Sequence, residues 1–163
     1  MATTFTRTHL TANGFSGWVS FATLRNTDPC PEVGGVYVVA RADGSPPSFL
    51  TKSCGGWFKD RDPTVSLGEL QANWVEGAEI VYIGKASSIR RRLREFAKFG
   101  EGRKIGHWGG RLIWQLKESP RLLVAWKPTP GVDPLTYEAQ LLAEFRADYG
   151  KPPFANDPHR LGG

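Results

Sequence analysis

The alternation of apolar and polar positions divides the chain into a few runs with a clear period and longer stretches without one. Residues 33–40, Val-Gly-Gly-Val-Tyr-Val-Val-Ala, are nearly continuously apolar and β-branched, as a strand buried on both faces requires. Residues 79–83 repeat that character, and the strand is expected to turn at Gly84. Ser87 or Ser88 then caps a helix opening at Ile89, on which Ile89, Leu93, Phe96, Ala97 and Phe99 share one face at 3.6 residues per turn. Further on, Leu112, Ile113 and Leu116 give 109–116 a helical spacing, and 121–127 reads as a strand that Pro128 breaks. Asp133-Pro134 supplies a cap and a first-turn proline for a helix that runs to about Tyr149, where Gly150 stops it. Between the two apolar strands, 43–47 is turn chemistry and a short helix is expected near 67–74. In residues 1–32, Phe15, Trp18, Val19, Phe21 and Leu24 fit either a short amphipathic helix or a strand, and the periodicity does not decide. The tail 151–156 reads as extended, pinned to the core by Phe154. This order of elements predicts a small α/β (α+β) domain with a mixed or antiparallel central sheet flanked by helices.

Two charges break the pattern. Arg92 lies three residues after Ile89 and four before Phe96, inside the apolar arc, whereas Arg90, Arg91, Arg94 and Lys98 fall outside it. On the last helix Leu141, Leu142, Phe145 and Tyr149 define the apolar face, and Glu138 projects from the middle of it. A buried charge without a partner costs several kcal/mol, about the whole stability margin of a domain. Either Arg92 and Glu138 pair with each other, or a ligand supplies what each lacks. An internal pair stabilises little compared with hydrophobic isosteres, so its retention invites a functional account.

At 163 residues the chain is long enough for one domain that buries roughly two thirds of its unfolded surface without staples. Its 21 Lys and Arg against 16 Asp and Glu give a charge of +5, which suits a polyanionic partner and equally suits solubility. Cys30 and Cys54 are far apart and lack zinc-site spacing, so reduced thiols and a cytoplasmic setting are expected. No stretch has the roughly 20 apolar residues of a membrane span, and residues 1–11 lack the apolar run of a signal peptide.

Taken together, Gly35-Val36-Tyr37, Tyr82-Ile83-Gly84 with Lys85, Arg92 on the following helix, Glu138 and Asn156 resemble the GIY-YIG nuclease family. The segment from Tyr82 to Leu93 is especially similar to the branch found in bacterial nucleotide-excision-repair nucleases. The resemblance spans 33–40 and 79–156, and divides the chain into an N-terminal extension (1–32), a GIY-YIG-like domain (33–156) with an insertion at 43–77, and a C-terminal tail (157–163). It implies a hydrolase that cuts DNA phosphodiester bonds with one divalent ion, Mg²⁺ or Mn²⁺, RNA not being excluded as substrate. In that scheme Glu138 holds the metal, and Arg92 neutralises charge building on phosphorus. Tyr37 orients or activates the attacking water once nearby cations lower its pKa. Tyr82 and Lys85 assist that lowering or bind phosphate. Gly84 and Asn156 support the site, with Asn156 fixing local backbone.

Many relatives carry His or Tyr one turn after the arginine. This chain has Phe96, which exchanges no proton, and His107 is the candidate substitute acid or base. Arg90, Arg91, Arg94, Lys98, Arg103 and Lys104 form the expected nucleic-acid face. Lys52, Trp57, Lys59 and Arg61 of the insertion either engage DNA by phosphate contacts and stacking or belong to a lid over a sheet edge. Three readings follow: an endonuclease, a catalytically inactive nucleic-acid-binding module of the same fold, or an interaction domain with an internal Arg92–Glu138 bridge. No separate sequence-reading domain is apparent, so specificity would come from the extension, the insertion or a partner protein.

Overall fold

The computed structural model describes residues 5–156. Its elements are α1 (Arg7–Ala12), β1 (Ser16–Ser20), α2 (Phe21–Leu24), β2 (Gly35–Ala40), α3 (Leu67–Asn73), β3 (Ile80–Ala86), α4 (Ile89–Gly100), 3₁₀ helices at Trp108–Gln115 and Ser119–Arg121, β4 (Leu123–Pro128) and α5 (Pro134–Tyr149). The four strands form one sheet in the order β1-β4-β2-β3, and every neighbouring pair is antiparallel, so of the two sheet types expected the antiparallel one is found.

The central pair β2 and β4 is buried on both sides, and this explains the unbroken apolar run at Gly35–Ala40. On one face Tyr37, Val39, Tyr82, Val124 and Trp126 pack with Ile89, Leu93, Phe96 and Phe99 of α4 and with Trp114. On the other, Val36, Val38, Ile80, Ile83 and Ala125 pack with Leu141 and Phe145 of α5 and with Phe5 and Leu10 from the N-terminal segment. The helix signals read from sequence act as expected. The Ser88 hydroxyl accepts from the Arg91 N–H, Asp133 caps α5 through the Leu135 N–H, and Gly150 ends α5 at φ 77°.

Four expectations are corrected. The strand does not turn at Gly84 but continues to Ala86. Gly84 lies opposite Tyr37 in the β2–β3 register, and a Cβ there would stand 2.4 Å from the tyrosine Cζ, so the glycine serves close approach rather than chain reversal. Residues 5–32 are not merely an extension, because β1 pairs with β4 and forms one edge of the sheet. Strand and helix are both present there, β1 ending where α2 begins, which is why a single period fitted neither. The segment around 109–116 is 3₁₀ rather than α-helical, being kinked at Gly110, where a Cβ would press to 2.7 Å from the Phe96 ring.

Nor does the segment 43–77 pair with an edge strand of the sheet among the described residues. Phe49 and Leu50 run beside Gln115 and Leu116, and Phe49 stacks on Phe154 and meets Trp74 edge-on. The outer edge of β3 is closed instead by the tail. Asn156 Oδ1 accepts from the Ile83 N–H at 2.9 Å, its Nδ2 donates to the Ile83 carbonyl at 2.8 Å, and the Ala155 N–H donates to Val81. A side-chain amide thus takes the place of a further strand, the backbone-fixing role expected of Asn156. The expected tail at 157–163 lies outside the described residues. Among the described residues no helix is long and apolar enough to cross a membrane.

Candidate active site

Antiparallel pairing places directly opposed residues on the same face, so Tyr37, opposite Gly84, and Tyr82, opposite Val39, are diagonal neighbours. Their ring centroids are 6.0 Å apart. Lys85 leaves the end of β3 exposed, α4 brings Arg92 from one layer, and α5 brings Glu138 from the other. These five side chains line a single open cleft of about 280 Å³, together with Ala86, Ser87 and Gly109. A larger depression of about 1070 Å³ lies elsewhere, lined by residues that include Arg7, Trp18, Arg41, Asp43, Trp74 and Glu79. Size alone would favour it. Most of its charges, however, are engaged with one another or with Glu118 and Arg121, as in the Arg41–Glu118 pair at 2.7 Å and the Arg7–Glu79 pair at 3.7 Å. The smaller cleft is where the chemically capable groups converge.

Arg92 is not sealed in the apolar stripe. Its side chain is 33 % exposed, and Nη1 donates to the Gly106 carbonyl at 2.8 Å and to Glu95 at 3.2 Å. Nε and Nη2 make no hydrogen bond within the described residues, and Arg92 is one of the residues that line the cleft. The ionic partner found for Arg92 is Glu95, one turn along the same helix, at 3.2 Å. Glu138 is 6 % exposed, in keeping with its place on the apolar face of α5.

Tyr37 is fully enclosed except at this cleft, and its hydroxyl lies 2.7 Å from His107 Nε2. The His107 ring is wholly buried and stacks flat on Phe96, with centroids 3.6 Å apart and planes within 4°. Phe96 of α4 is therefore the platform for an imidazole delivered from another segment. Burial, reinforced by Tyr82 and Glu138, raises the Tyr37 hydroxyl well above the usual phenol range despite the opposing pull of Arg92. This corrects the expectation that nearby cations lower it. Burial, aided by the positive charge of Arg92, holds His107 well below the ordinary imidazole value, so the ring is neutral. A neutral imidazole with Nε2 accepting from the Tyr37 O–H carries its proton on Nδ1, an atom buried without a hydrogen-bond partner.

The expected nucleic-acid face on α4 is largely spoken for. Arg90 donates to Glu32 at 2.8 Å and to the Cys30 carbonyl at 2.7 Å, and Arg94 pairs with Asp28. The Ile89 and Arg90 N–H groups are taken by the Val33 and Pro31 carbonyls, so the N-terminal segment straps the first turn of α4. Arg91, 82 % exposed, faces Glu95 at 3.6 Å, and Lys98 is half-buried. Arg103 and Lys104 are exposed.

Sequence reasoning missed Glu95 and Gly106, which aim Arg92. Glu95 was visible as an i,i+3 partner. Gly106 acts through a carbonyl that no sequence pattern marks.

For a metal, no group of three or more His, Cys, Asp or Glu exists among the described residues. A single carboxylate facing an open, polar cleft fits a Mg²⁺-type ion, which keeps several waters and shares the rest of its shell with substrate phosphate. The two cysteines are unbonded and neither lines the cleft, and burial raises the Cys30 thiol to about 11. No protein-family model, curated protein or solved structure matches this chain, so the functional reading rests on its own residues.

Proposed function

We propose that this protein is a metal-dependent endonuclease of the GIY-YIG type that hydrolyses DNA phosphodiester bonds. The observation that carries the reading is the convergence of Tyr37, Tyr82, Lys85, Arg92 and Glu138, drawn from two strands and two helices on opposite layers, on one solvent-open cleft. A structural salt bridge would have needed only two of them, in contact.

Glu138 is the residue that would hold Mg²⁺ or Mn²⁺, and the ion's contribution is to polarise a phosphate oxygen and ease departure of the leaving group. Arg92, anchored through Nη1, offers Nε and Nη2 to the phosphate, a charge-assisted fork that gains strength as negative charge grows on phosphorus. Lys85 adds a second positive charge at the mouth. Tyr37 acts as a relay: it takes a proton from the attacking water at Oη while its own proton passes to His107 Nε2 along the 2.7 Å contact. The phosphate anion that enters the cleft favours this transfer, because a nearby negative charge stabilises the imidazolium.

Plasmid nicking by repurified protein in Mg²⁺ or Mn²⁺ tests the proposal. Activity that disappears in Glu138→Ala supports it. Salt-sensitive DNA binding with no product in either metal would instead identify a non-catalytic binding module.

A further inference from the structure

Two sets of cations around α4 differ in their partners. Arg90, Arg91, Arg92 and Arg94 on α4 each have a carboxylate within 4 Å. Lys52, Lys59 and Arg61 of the insertion, and Arg103 and Lys104 of the connection after α4, are exposed and have none among the described residues. Asp60 and Asp62 share the loop, but Asp62 is turned to cap the Thr64 N–H and the cations outnumber the two acids.

These two segments form one platform. The Gly56 N–H donates to Phe99 at 2.9 Å, a Cβ at Gly56 would overlap the Arg103 carbonyl, and the Phe58 ring packs on Gly106. Lys59 and Asp60 hold consecutive left-handed conformations, φ 54° and 59°, in a tight turn closed by Arg61 N–H to Phe58 carbonyl. Lys59 lies over the Phe58 ring. Beside this turn Trp57 is 51 % exposed, whereas Trp18, Trp74, Trp108, Trp114 and Trp126 are partly or fully buried. The platform joins the cleft directly: Gly106 anchors Arg92, and the next residue, His107, meets Tyr37.

We infer that this platform holds the nucleic acid beside the cleft, with Lys59, Arg61, Arg103 and Lys104 on backbone phosphates and Trp57 stacked on an unpaired base. The inference rests on the nucleic-acid reading of the cleft and narrows its substrate to DNA with an unstacked base near the cut, such as a flap, bulge or single-stranded junction. A duplex offers phosphates to lysine and arginine but conceals its base faces, so an indole displayed among cations has use for a strand that has left the stack.

The test is fluorescence anisotropy with labelled intact duplex, three-nucleotide bulge and 5′ flap, using the full chain in EDTA. Trp57→Ala should weaken bulge and flap binding about tenfold while leaving intact duplex within twofold. Lys59→Glu with Arg61→Glu should weaken all three and flatten the salt dependence, whereas Arg91→Glu should change little. Unchanged circular dichroism guards against misfolding, which is not expected at exposed positions. Equal loss on duplex and flap in Trp57→Ala, or a larger loss in Arg91→Glu than in the double variant, overturns the inference. The predicted binding pattern without any cleavage in metal would sink the nuclease reading and leave the platform standing. Cleavage with no effect of Trp57→Ala would do the reverse.

Discussion

Arg92 and the two arginines that flank it on α4, Arg90 and Arg94, teach opposite lessons from the same residue type. Arg90 and Arg94 meet Asp28, Glu32 and the Cys30 carbonyl, all supplied by the segment that precedes β2. Those contacts hold that segment onto the helix. Arg92, two residues along, meets a carbonyl and one carboxylate with a single nitrogen and lines a cleft it shares with Tyr37, Tyr82, Lys85 and Glu138. An arginine whose fork is consumed by its own chain is structural. One held by a single nitrogen at the wall of a cleft is available to a ligand.

The contrast is tested most severely by Arg92→Ala. Losing a group that stabilises transition-state charge costs about 10²-fold or more in rate, and plasmid nicking should fall by that much while thermal stability changes little. In Arg90→Ala nicking should stay within about twofold. Equal rates in the two variants would erase the distinction.

A smaller loss, about tenfold to 10²-fold in nicking, is expected for Tyr37→Phe and for His107→Gln. Their pH behaviour sharpens the comparison, because it reports on the buried pair. The native His107 binds its proton more weakly than the unfolded imidazole, whose value is about 6.5. Below that pH the unfolded state holds the extra proton, so stability falls as pH falls, by at most about 1.4 kcal/mol per pH unit, and His107→Phe should flatten this limb in urea titrations. Tyr37 is shifted the other way, so stability should also decline as pH rises past about 10.

On stability, Asn156→Ala removes two hydrogen bonds from a buried strand edge and should cost about 1–3 kcal/mol by chemical denaturation. Gly84→Ala forces a methyl into the Tyr37 ring and should cost a similar about 1–3 kcal/mol, with loss of nicking as the phenol moves. Arg90→Ala should show the smallest effect, up to about 1 kcal/mol, since Arg90 is a third exposed, its carboxylate partners are more exposed still, and solvent screens both pairs.

Much of this was legible in the sequence where one physical rule acted alone. The apolar runs of β2 and β3, the Ser88 and Asp133 caps, the Gly150 stop and the inward face of α4 all follow from period and capping chemistry. Five of the cleft residues were named from misplaced charges and a family likeness. What was not legible depends on contacts between distant segments. Gly84 looked like a turn because glycine permits one, and only the position of the Tyr37 ring shows that it is needed for space. The basic face of α4 looked available because Asp28 and Glu32 are roughly sixty residues away in sequence. His107 stood in a glycine-rich connection with no periodic signal, and its partnership with Tyr37 and Phe96 arises wholly from the packing of that connection.

The central claim is that Glu138 and Arg92 face one phosphate-sized space. Anomalous diffraction from crystals soaked with Mn²⁺ and a short oligonucleotide measures this directly. A manganese peak on Glu138, with a phosphate between it and the Arg92 guanidinium and the Tyr37 hydroxyl turned toward that phosphate, is the predicted result. Manganese bound away from Glu138, or a phosphate that leaves Arg92 and Tyr37 untouched, would contradict it.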